Sequence, residues 1–287
     1  MKKVVKIVSR KSALALWQAN FVKTQLQHLY SDLEITITGI TTEGDKELEA
    51  SLTKIGGKGL FVKALEECLL NKEADIAIHS LKDMPAELPQ GLEIAAILER
   101  EDVRDALISL NSHQLKELPP KAVVGTSSLR RQIQLYALRN DLQPKMLRGN
   151  VDTRLQKLDK GEYHAIILAV AGLKRLQLTH RITEYFPPEI MLPAVGQGAL
   201  SIECRVEDEE IKKLIAPLHH LPTAHCVLAE RSMNAALGGG CQLPIAGLAT
   251  LTTTGLIYLQ GIVGGKDGQL FLKAHATGTS KEVLAIG

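Results

Sequence analysis

Short apolar segments with strand patterns alternate with segments of helical periodicity along most of this chain, and this alternation limits the possible folds more than any other feature. A strand pattern at 4–8 is followed by a helical one at 12–29. The alternation restarts after residue 121, and 165–170 is the clearest buried strand. Strands alternating with helices predict two α/β domains with largely parallel sheets. The other predicted strands are 34–40, 75–78, 122–125 and 145–147, and the other predicted helices are 60–71, 129–139 and 151–158.

The C-terminal part of the chain has a different pattern. A helical segment at 223–237 ends at three glycines, Gly238 to Gly240, which predict a helix C-cap and a loop. Residues 244–278 are rich in Thr and Gly and contain short strand patterns at 256–260 and 270–274. We therefore expect a third, smaller and β-rich domain. Residues 99–105 are predicted to be a charged connection between the first two domains.

Positive charge is concentrated in the middle of the sequence. The 287 residues have a formal net charge of only +2. Residues 121–181, however, hold 12 Lys and Arg against 4 Asp and Glu. This local excess predicts an anionic partner, and a phosphate, a nucleic acid and a polycarboxylate all remain open. Aromatic residues are only 3% of the chain, which disfavours a surface on which nucleic-acid bases stack.

The sequence favours a soluble protein of a reducing compartment. Its first residues lack the apolar stretch of a signal peptide, and no apolar segment approaches the roughly 20 residues that span a bilayer. The 4 cysteines form no CxxC pair and lack the histidine spacing of a zinc site. We expect a cytoplasmic protein without a bound metal, in which Cys68 and Cys204 are structural.

Two loops beside predicted strands carry charged residues. Lys82 and Asp83 follow the strand at 75–78, and α/β proteins bind ligands at the carboxyl ends of their strands. A surface ion pair and a functional pair are equally good interpretations of these two residues. The glycine-rich segment 56–59 lacks the spacing and the Ser or Thr of a P-loop, so it is interpreted as a turn. Lys58 within it remains a candidate contact for an anion at the next helix N-terminus.

A second candidate anion site follows the strand at 122–125. Three hydroxyl residues at 126–128 are followed by Arg130 and Arg131 at the start of a predicted helix. One hydroxyl suffices to cap a helix, and two arginines in its first turn oppose the helix dipole. We interpret the segment as an anion-binding site rather than as a simple cap.

Further arginines follow the next two strands in the same manner. Arg148 and Arg154 come after the strand at 145–147, and Arg175 comes after the strand at 165–170. The carboxyl ends of parallel strands share one edge of a sheet, so these guanidinium groups should line one cleft. Arginine binds carboxylates and phosphates through paired hydrogen bonds, which favours a small ligand with several negative charges. A nucleic acid remains the alternative.

Cys241 lies on a glycine-rich loop, after three glycines and before Gln242-Leu243-Pro244. Most cysteines are small buried apolar residues. An accessible thiol on such a loop also suits covalent chemistry. The spacing alone leaves the two interpretations equal.

At these residues the chain resembles the porphobilinogen deaminase family of tetrapyrrole biosynthesis. The resemblance extends from about Lys6 to Gly247 and rests on ordered motifs, not on one match. These motifs are SRKSALALWQA, GGKGLFVKALE, ADIAIHSLKDMP, GTSSLRRQ, LRGNVDTRL, AIILAVAGLKRL, LPAVGQGALSIECR and GGGCQLPI.

The resemblance implies a reaction and a cofactor. Members of the family condense four porphobilinogen molecules head to tail into linear hydroxymethylbilane and release ammonia from each. They build this chain on a dipyrromethane cofactor that is joined through a thioether to a loop cysteine, which corresponds to Cys241. The family's catalytic carboxylate corresponds to Asp83, which would hold pyrrole N–H groups and stabilise the positive charge that forms as ammonia leaves.

The resemblance also explains the basic residues, since each pyrrole carries an acetate and a propionate. The basic and hydroxyl residues would bind these carboxylates on the cofactor and the substrate. The residues with this implied role are Arg10, Ser12, Lys82, Thr126, Ser127, Ser128, Arg130, Arg131, Arg148, Arg154 and Arg175. Secondary contributors are Gln18, Lys58, Phe61, Ser80 and Gln197. Lys58 and Phe61 lie where the family has a mobile segment over the cleft.

The implied architecture is α/β, with two lobes like type II periplasmic binding proteins and a small α+β C-terminal domain. Domain 1 would comprise residues 1–98 and 192–218, domain 2 residues 99–191, and domain 3 residues 219–287. The family also implies a monomer that binds neither nucleic acid nor membrane. The alternative function is a non-catalytic two-lobed protein that binds a small polyanion.

The chain departs from the family's pattern at two places. Gly238 stands where many relatives have an acidic residue, and we expect this glycine to loosen the cofactor loop. Residues 279–286 have the pattern of a helix start that stops early. We therefore expect the third domain to be less buried and less stable than in longer relatives.

Overall fold

The computed structural model describes residues 4–42, 62–239, 243–265 and 271–287. The chain divides into two compact units, each built from two stretches of sequence. Unit 1 comprises residues 1–100 and 199–224, and unit 2 comprises residues 101–198 and 225–287. Residues 101–198 therefore interrupt unit 1 in sequence.

Strands and helices alternate in the first two thirds of the chain, and strands dominate the C-terminal part. The strands are β1 Val4–Arg10, β2 Glu34–Ile40, β3 Ile76–Ser80, β4 Leu92–Ile97, β5 Asp105–Ser109, β6 Val123–Gly125, β7 Gln143–Lys145, β8 Ala165–Ala169, β9 Glu184–Phe186, β10 Leu200–Arg205, β11 Ile245–Leu251, β12 Ile257–Gly264 and β13 Phe271–Gly278. The α-helices are α1 Ala13–Leu29, α2 Lys63–Leu70, α3 Leu129–Leu138, α4 Val151–Asp159, α5 Val170–Arg175, α6 Glu209–Ile215, α7 Leu221–Ala236 and α8 Val283–Ile286. Single 3₁₀ turns are Leu81–Asp83, Leu115–Glu117, Thr179–Arg181, Ala216–Leu218 and Ser280–Glu282.

The sheet of unit 1 has the strand order β2-β1-β3-β10-β4. β1 pairs in parallel with β2 and β3, whereas β10 runs antiparallel to β3 and β4. One face of the sheet is covered by α1, whose Ala19, Val22 and Leu26 are fully buried in an apolar core. Ser12 caps α1, because its side-chain oxygen accepts a hydrogen bond from the Ala15 N–H.

The sheet of unit 2 repeats this arrangement with the order β7-β6-β8-β5-β9. β6 pairs in parallel with β7 and β8, and β5 runs antiparallel to β8 and β9. In both sheets the first strand of the parallel series lies between the second and the third, and an antiparallel strand follows the third. The predicted α/β lobes are confirmed. The expectation of largely parallel sheets is confirmed, since four of the five strands in each sheet run in one direction. The antiparallel strands are β10 in the first sheet and β5 in the second.

The C-terminal part of unit 2 is a three-stranded antiparallel sheet in the order β11-β12-β13. Buried Cys226, Ala229 and Met233 of α7 form an apolar core with β11 and β12. The short helix α8 contributes Val283 and Ile286 to the same core. The predicted small α+β region is therefore confirmed.

The last turn of α7 ends in a Schellman motif just before the segment that contains Cys241. The Gly238 N–H donates to the Ala235 carbonyl, and the Gly239 N–H donates to the Asn234 carbonyl at 2.6 Å. Gly238 has a φ of +65°, which a residue with a Cβ adopts only with strain. The predicted glycine C-cap is confirmed, and Gly238 serves a defined helix end.

Several predicted boundaries need correction. The strand predicted at 145–147 is β7, two residues earlier, and Leu147 is buried in an apolar core just after the strand ends. Val170 begins α5 and does not end β8. The charged connection predicted at 99–105 ends in β5, since Asp105 is its first residue and is fully buried.

Some strands were not predicted. No bounds were predicted for β4, β5, β9, β10 and β11, and β10 carries Ser, Glu, Cys and Arg at positions that are all buried. Among the residues that the structure describes, no helix has the length and apolarity needed to cross a membrane.

Candidate functional site

The functional residues predicted for unit 1 lie at the carboxyl ends of two neighbouring parallel strands. Arg10 is the last residue of β1, and Ser80 is the last residue of β3. The pairing of Ile7 with Ile76 and of Val8 with Ala77 aligns the two strand ends. Gln18 of α1 joins them, because its buried side-chain amide donates to the Ser80 hydroxyl at 2.9 Å.

Asp83 lies on the 3₁₀ turn that directly follows β3. Leu81 and Met84 are buried and anchor the turn, and the Leu81 N–H donates to the Ala199 carbonyl at 3.0 Å. Lys82 is half-buried, whereas the Asp83 carboxylate is exposed. The turn therefore holds an accessible carboxylate on a rigid support at a strand end.

A buried group of ionisable side chains comes from β3, β10 and α2. His79 Nε2 contacts Glu203 Oε2 at 2.9 Å, and both side chains are nearly inaccessible. Glu66 at the start of α2 is also buried. Burial, together with the nearby charges of Glu203 and Glu67, raises the pKa of Glu66 to about 7.

The functional residues predicted for unit 2 gather at one edge of the second sheet. Three parallel strands, β6, β7 and β8, end at this edge and are followed by α3, α4 and α5 respectively. Thr126, Ser127 and Ser128 lie between β6 and α3. Two hydroxyls have local roles, since the Ser128 Oγ accepts from the Arg131 N–H and the Thr126 Oγ1 accepts from the Ser128 N–H. Ser127 is half-buried.

Arg130 and Arg131 share one internal carboxylate, that of Asp105. Arg130 Nη2 lies 2.7 Å from Asp105 Oδ2, and Arg131 Nη2 donates to Asp105 Oδ1 at 2.6 Å. All three side chains are buried. The two arginines hold the pKa of Asp105 far below its ordinary value against the opposing effect of burial. The anion that offsets the two arginines at the start of α3 is therefore part of the protein.

Asp105 was not predicted as a site residue. Asp105 begins β5, and β5 is antiparallel to β8, so Asp105 pairs with Ala169 at the edge where β8 ends. A single Asp within a charged stretch has no local signal for this position. Only the pairing of β5 with β8 brings its carboxylate to the start of α3.

Gln197 connects Asp105 to the loop before β10. Its side-chain amide donates to the Val103 carbonyl at 2.7 Å and to Asp105 Oδ1 at 3.0 Å. In the same loop the Gly196 N–H donates to the fully buried carboxylate of Glu230 on α7, which also accepts from the Ala249 N–H of β11. Hydrogen bonds thus link Asp105 through this loop to α7 and β11, the elements that flank residues 240–242.

The remaining arginines of this edge have different exposures. Arg175 at the end of α5 is buried and donates to the Gly198 carbonyl at 2.7 Å, and burial lowers the pKa of its guanidinium to about 10, an effect that Glu101 opposes. Arg154 is half-buried, and its Nε donates to the Gly149 carbonyl at 2.7 Å. Arg148 is half-buried and follows β7.

Three predicted site residues, Lys58, Phe61 and Cys241, lie outside the described residues. The described cysteines Cys68, Cys204 and Cys226 form no disulfide. Cys204 is buried in β10, and burial raises the pKa of its thiol to about 12. The pKa of Cys68 in α2 is also raised, mainly by burial. The structural interpretation of Cys68 and Cys204 agrees with these positions.

The fold and these two strand-end edges define a protein of two α/β lobes with a small α+β region. The family model described as "Porphobilinogen deaminase, dipyromethane cofactor binding domain" matches residues 5–213, and the model of the C-terminal domain of porphobilinogen deaminase matches residues 224–287. The chain therefore belongs to the porphobilinogen deaminase family. The activity of this family is that of hydroxymethylbilane synthase, a transferase of porphyrin and haem biosynthesis.

A curated relative agrees with this assignment. A porphobilinogen deaminase of Nitrosomonas europaea is 54% identical over 286 residues, which cover all of this chain and 92% of the relative. Among solved structures, the BenM effector-binding domain with benzoate is 16% identical with a TM-score of 0.45, over 84% of this chain and 96% of that one. An arginine-specific periplasmic binding protein of Salmonella typhimurium is 14% identical with a TM-score of 0.41, over 76% and 92% of the two chains. These two distant similarities carry no information on function.

Proposed function

We propose that this chain joins four porphobilinogen molecules into hydroxymethylbilane on a dipyrromethane that is bound through a thioether to Cys241. The observation that carries the proposal is the gathering of arginine side chains at the edge of the second sheet, in a chain that matches the family along its length. Porphobilinogen and its products carry carboxylates on every ring, and guanidinium groups bind carboxylates with paired hydrogen bonds. The deaminase function explains both features.

The arginines of unit 2 fit a dipyrromethane with acetate and propionate groups. Arg130, Arg131 and Arg148 each have a buried Nε without a hydrogen-bond partner among the described residues. Buried donors without partners are rare in folded proteins, and such donors at a site indicate a ligand. We assign the carboxylates of the cofactor and of the growing chain to these arginines, with Arg154 and Arg175 as further contacts. When bound, the dipyrromethane supplies the end to which the first porphobilinogen is joined.

Asp83 is the proposed catalytic carboxylate. Its turn is held by the buried side chains of Leu81 and Met84, so the carboxylate keeps its position while it stays accessible. A fixed negative charge stabilises positive charge that develops on the substrate as ammonia departs. Arg10, Ser12 and Lys82 lie at the same edge of the first sheet and are proposed to bind substrate carboxylates. Gln18 and Ser80 support this edge through their mutual hydrogen bond.

Cys241 is the proposed attachment point because the described cysteines suit this role poorly. The thiolate is the reactive form of cysteine, and burial raises the pKa of Cys204 to about 12. Cys226 is buried in the core beside β11. Cys241 occupies the cysteine position of the GGGCQLP motif.

The proposal includes the remaining expectations on organisation. Domain 1 comprises 1–98 and 192–218, domain 2 comprises 99–191, and domain 3 comprises 219–287. The protein is a cytoplasmic monomer that binds porphobilinogen and no nucleic acid. Cysteines without disulfides, as observed for the described ones, are typical of a reducing compartment.

Intact-mass spectrometry of the purified protein tests the cofactor. We expect an adduct of two pyrrole units on the wild-type chain and none on Cys241→Ser. Cys226→Ser is the matched control and should keep the adduct. An active wild-type enzyme without an adduct would contradict the proposal.

Consumption of porphobilinogen with release of ammonia tests the reaction. A non-catalytic polyanion-binding protein would bind the substrate without releasing ammonia. A nucleic-acid-binding protein would instead bind DNA or RNA with a steep dependence on salt concentration. The same preparation can therefore distinguish all three functions.

A further inference from the structure

Two arginines that are adjacent on a helix converge on one carboxylate in unit 2. Neighbouring residues of an α-helix point about 100° apart and do not normally face each other. Arg130 and Arg131 nevertheless both reach Asp105, with N–O distances of 2.7 and 2.6 Å. They do so because the two oxygens of one carboxylate lie between the two side chains.

Three features fix the position of the Asp105 side chain. Its backbone pairs with Ala169 and Phe186 as the first residue of β5. Its Oδ1 accepts a hydrogen bond from the side-chain amide of Gln197 at 3.0 Å. Its side chain is fully buried, so it cannot exchange the arginines for water. The carboxylate is therefore a fixed reference point for both guanidinium groups.

These contacts do not use every hydrogen-bond donor of the two guanidinium groups. Arg130 Nη1 donates to the Leu192 carbonyl and Arg131 Nη1 donates to the Ile167 carbonyl. The Nε atoms of both residues have no hydrogen-bond partner among the described residues, although both are buried. The group keeps one net positive charge, from two arginines and one aspartate. Oriented donors with a net positive charge suit a carboxylate ligand.

We propose that Asp105 is a positioning residue that orients Arg130 and Arg131 for the carboxylates of the ligand. This inference rests on the proposed function, in which Arg130 and Arg131 bind carboxylates of the ligand. Free arginine side chains lose considerable rotamer entropy when they bind a ligand. Arginines that Asp105 already orients lose less of it, so ligand binding is tighter.

The test is Asp105→Asn, which keeps the shape of the side chain and removes its charge. We expect the KM for porphobilinogen to rise about tenfold or more with a much smaller change in kcat, because the lost interaction is one of binding. Asp102→Asn is the matched control, since Asp102 pairs with Arg104 two residues away. Its KM should stay within about twofold of the wild-type value. A folded Asp105→Asn enzyme with wild-type KM and its pyrrole adduct overturns the inference.

A double-mutant cycle separates positioning from a general structural role. In an Arg130→Gln, Arg131→Gln background, Asp105→Asn should change KM by less than about a third of its effect in the wild type, since residues that act together are not additive. Full additivity overturns the inference. Near-complete loss of the pyrrole adduct in folded Asp105→Asn, with the adduct kept in Asp102→Asn, supports it.

A second variant covers the case in which Asp105→Asn does not fold. Gln197→Met removes the hydrogen bonds to Asp105 and to the Val103 carbonyl and keeps all charges of the group. We expect KM to rise about threefold to tenfold, because Asp105 loses one of the hydrogen bonds that hold its carboxylate in place. A folded Gln197→Met enzyme with unchanged KM overturns the inference. Failure of the wild-type protein to consume porphobilinogen would instead overturn the proposed function, so the two failures are distinct.

Discussion

The two α/β units share a strand order but treat a buried carboxyl group in opposite ways. Glu66 of unit 1 lies near Glu203 and Glu67, and burial with these negative charges raises its pKa to about 7. Asp105 of unit 2 is more deeply buried, yet Arg130 and Arg131 keep its pKa far below the ordinary value. Burial disfavours the charged form in both units, so the neighbours decide the direction of the shift.

The difference shows that two sheets with the same strand order can carry carboxyl groups with different roles near their strand ends. In unit 2 the buried carboxylate of Asp105 is paired with Arg130 and Arg131, and the three side chains together keep one net positive charge. In unit 1 the carboxylate at the strand end, Asp83, is exposed and available to a substrate. Two predictions test this contrast between internal and available carboxyl groups, and a third compares the ends of two helices of unit 2.

The largest effect is expected for the available carboxylate. Asp83→Asn should lower kcat by about 10²–10³, the usual result of removing one group that stabilises transition-state charge. Since Asp83 is exposed, the melting temperature and the pyrrole adduct should be unchanged. Asp32→Asn, at an exposed turn of the same unit, is the control and should keep full activity. Turnover near the wild-type level in Asp83→Asn would remove Asp83 from the catalytic role.

A smaller effect is expected in the pH dependence of stability. The folded pKa of Glu66 is about 7, well above the ordinary value of a glutamate, so folded Glu66 holds its proton more tightly than unfolded Glu66 does. Its contribution is fully present below about pH 4.5 and is lost as the pH rises through about 7. The depressed pKa of Asp105 has the opposite sign, and its contribution is lost only in acid, below the usual range of aspartate.

Urea unfolding at several pH values measures this difference. Between pH values of about 5 and 8, Glu66→Gln should lose less stability than the wild type, because Gln does not ionise. Glu34→Gln, an exposed residue of β2, should follow the wild-type curve. Parallel curves for Glu66→Gln and the wild type would show that Glu66 is already charged throughout this range.

The smallest effect concerns backbone geometry and not charge. Gly238 ends α7 with a φ of +65°, and Gly161 ends α4 in the same Schellman geometry with a φ of +75°. A Cβ at either glycine meets no neighbouring atom, so each Gly→Ala change should cost only backbone strain, about 1 kcal/mol. Urea unfolding should show equal losses. Only Gly238→Ala should also lower turnover, since Gly238 precedes Cys241; equal turnover would show that this helix end does not position the cysteine.

The sequence predicts those parts of the fold whose signal is local. β2 and α3 were predicted within one residue because their apolar spacing is regular. β10 was missed because its six buried residues include Ser201, Glu203 and Arg205, polar residues that a strand pattern does not predict at buried positions. Glu203 Oε2 pairs with His79, and Arg205 pairs with Asp75 and Asp208. Such pairs have no pattern in the sequence of one strand.

The candidate site divides in the same way. The arginines after β6, β7 and β8 could be predicted because the carboxyl ends of parallel strands meet at one edge. Asp105, the partner of Arg130 and Arg131, could not be predicted, because the local sequence does not show that β5 pairs with β8. For the same reason, the two arginines at the start of α3 suggested an external anion, although a protein carboxylate already lies between them.

The interruption of unit 1 by residues 101–198 has a consequence for the order of folding. β10 pairs with β3 and β4 in the first sheet, but residues 98–199 separate it from β4 in the chain. All five strands of the second sheet lie between Asp105 and Phe186. All strands of the second sheet are therefore synthesised before β10, the antiparallel strand of the first sheet. During synthesis the N-terminal third of the chain therefore has unpaired edges on β3 and β4 until β10 is made, and unpaired strand edges are prone to aggregation.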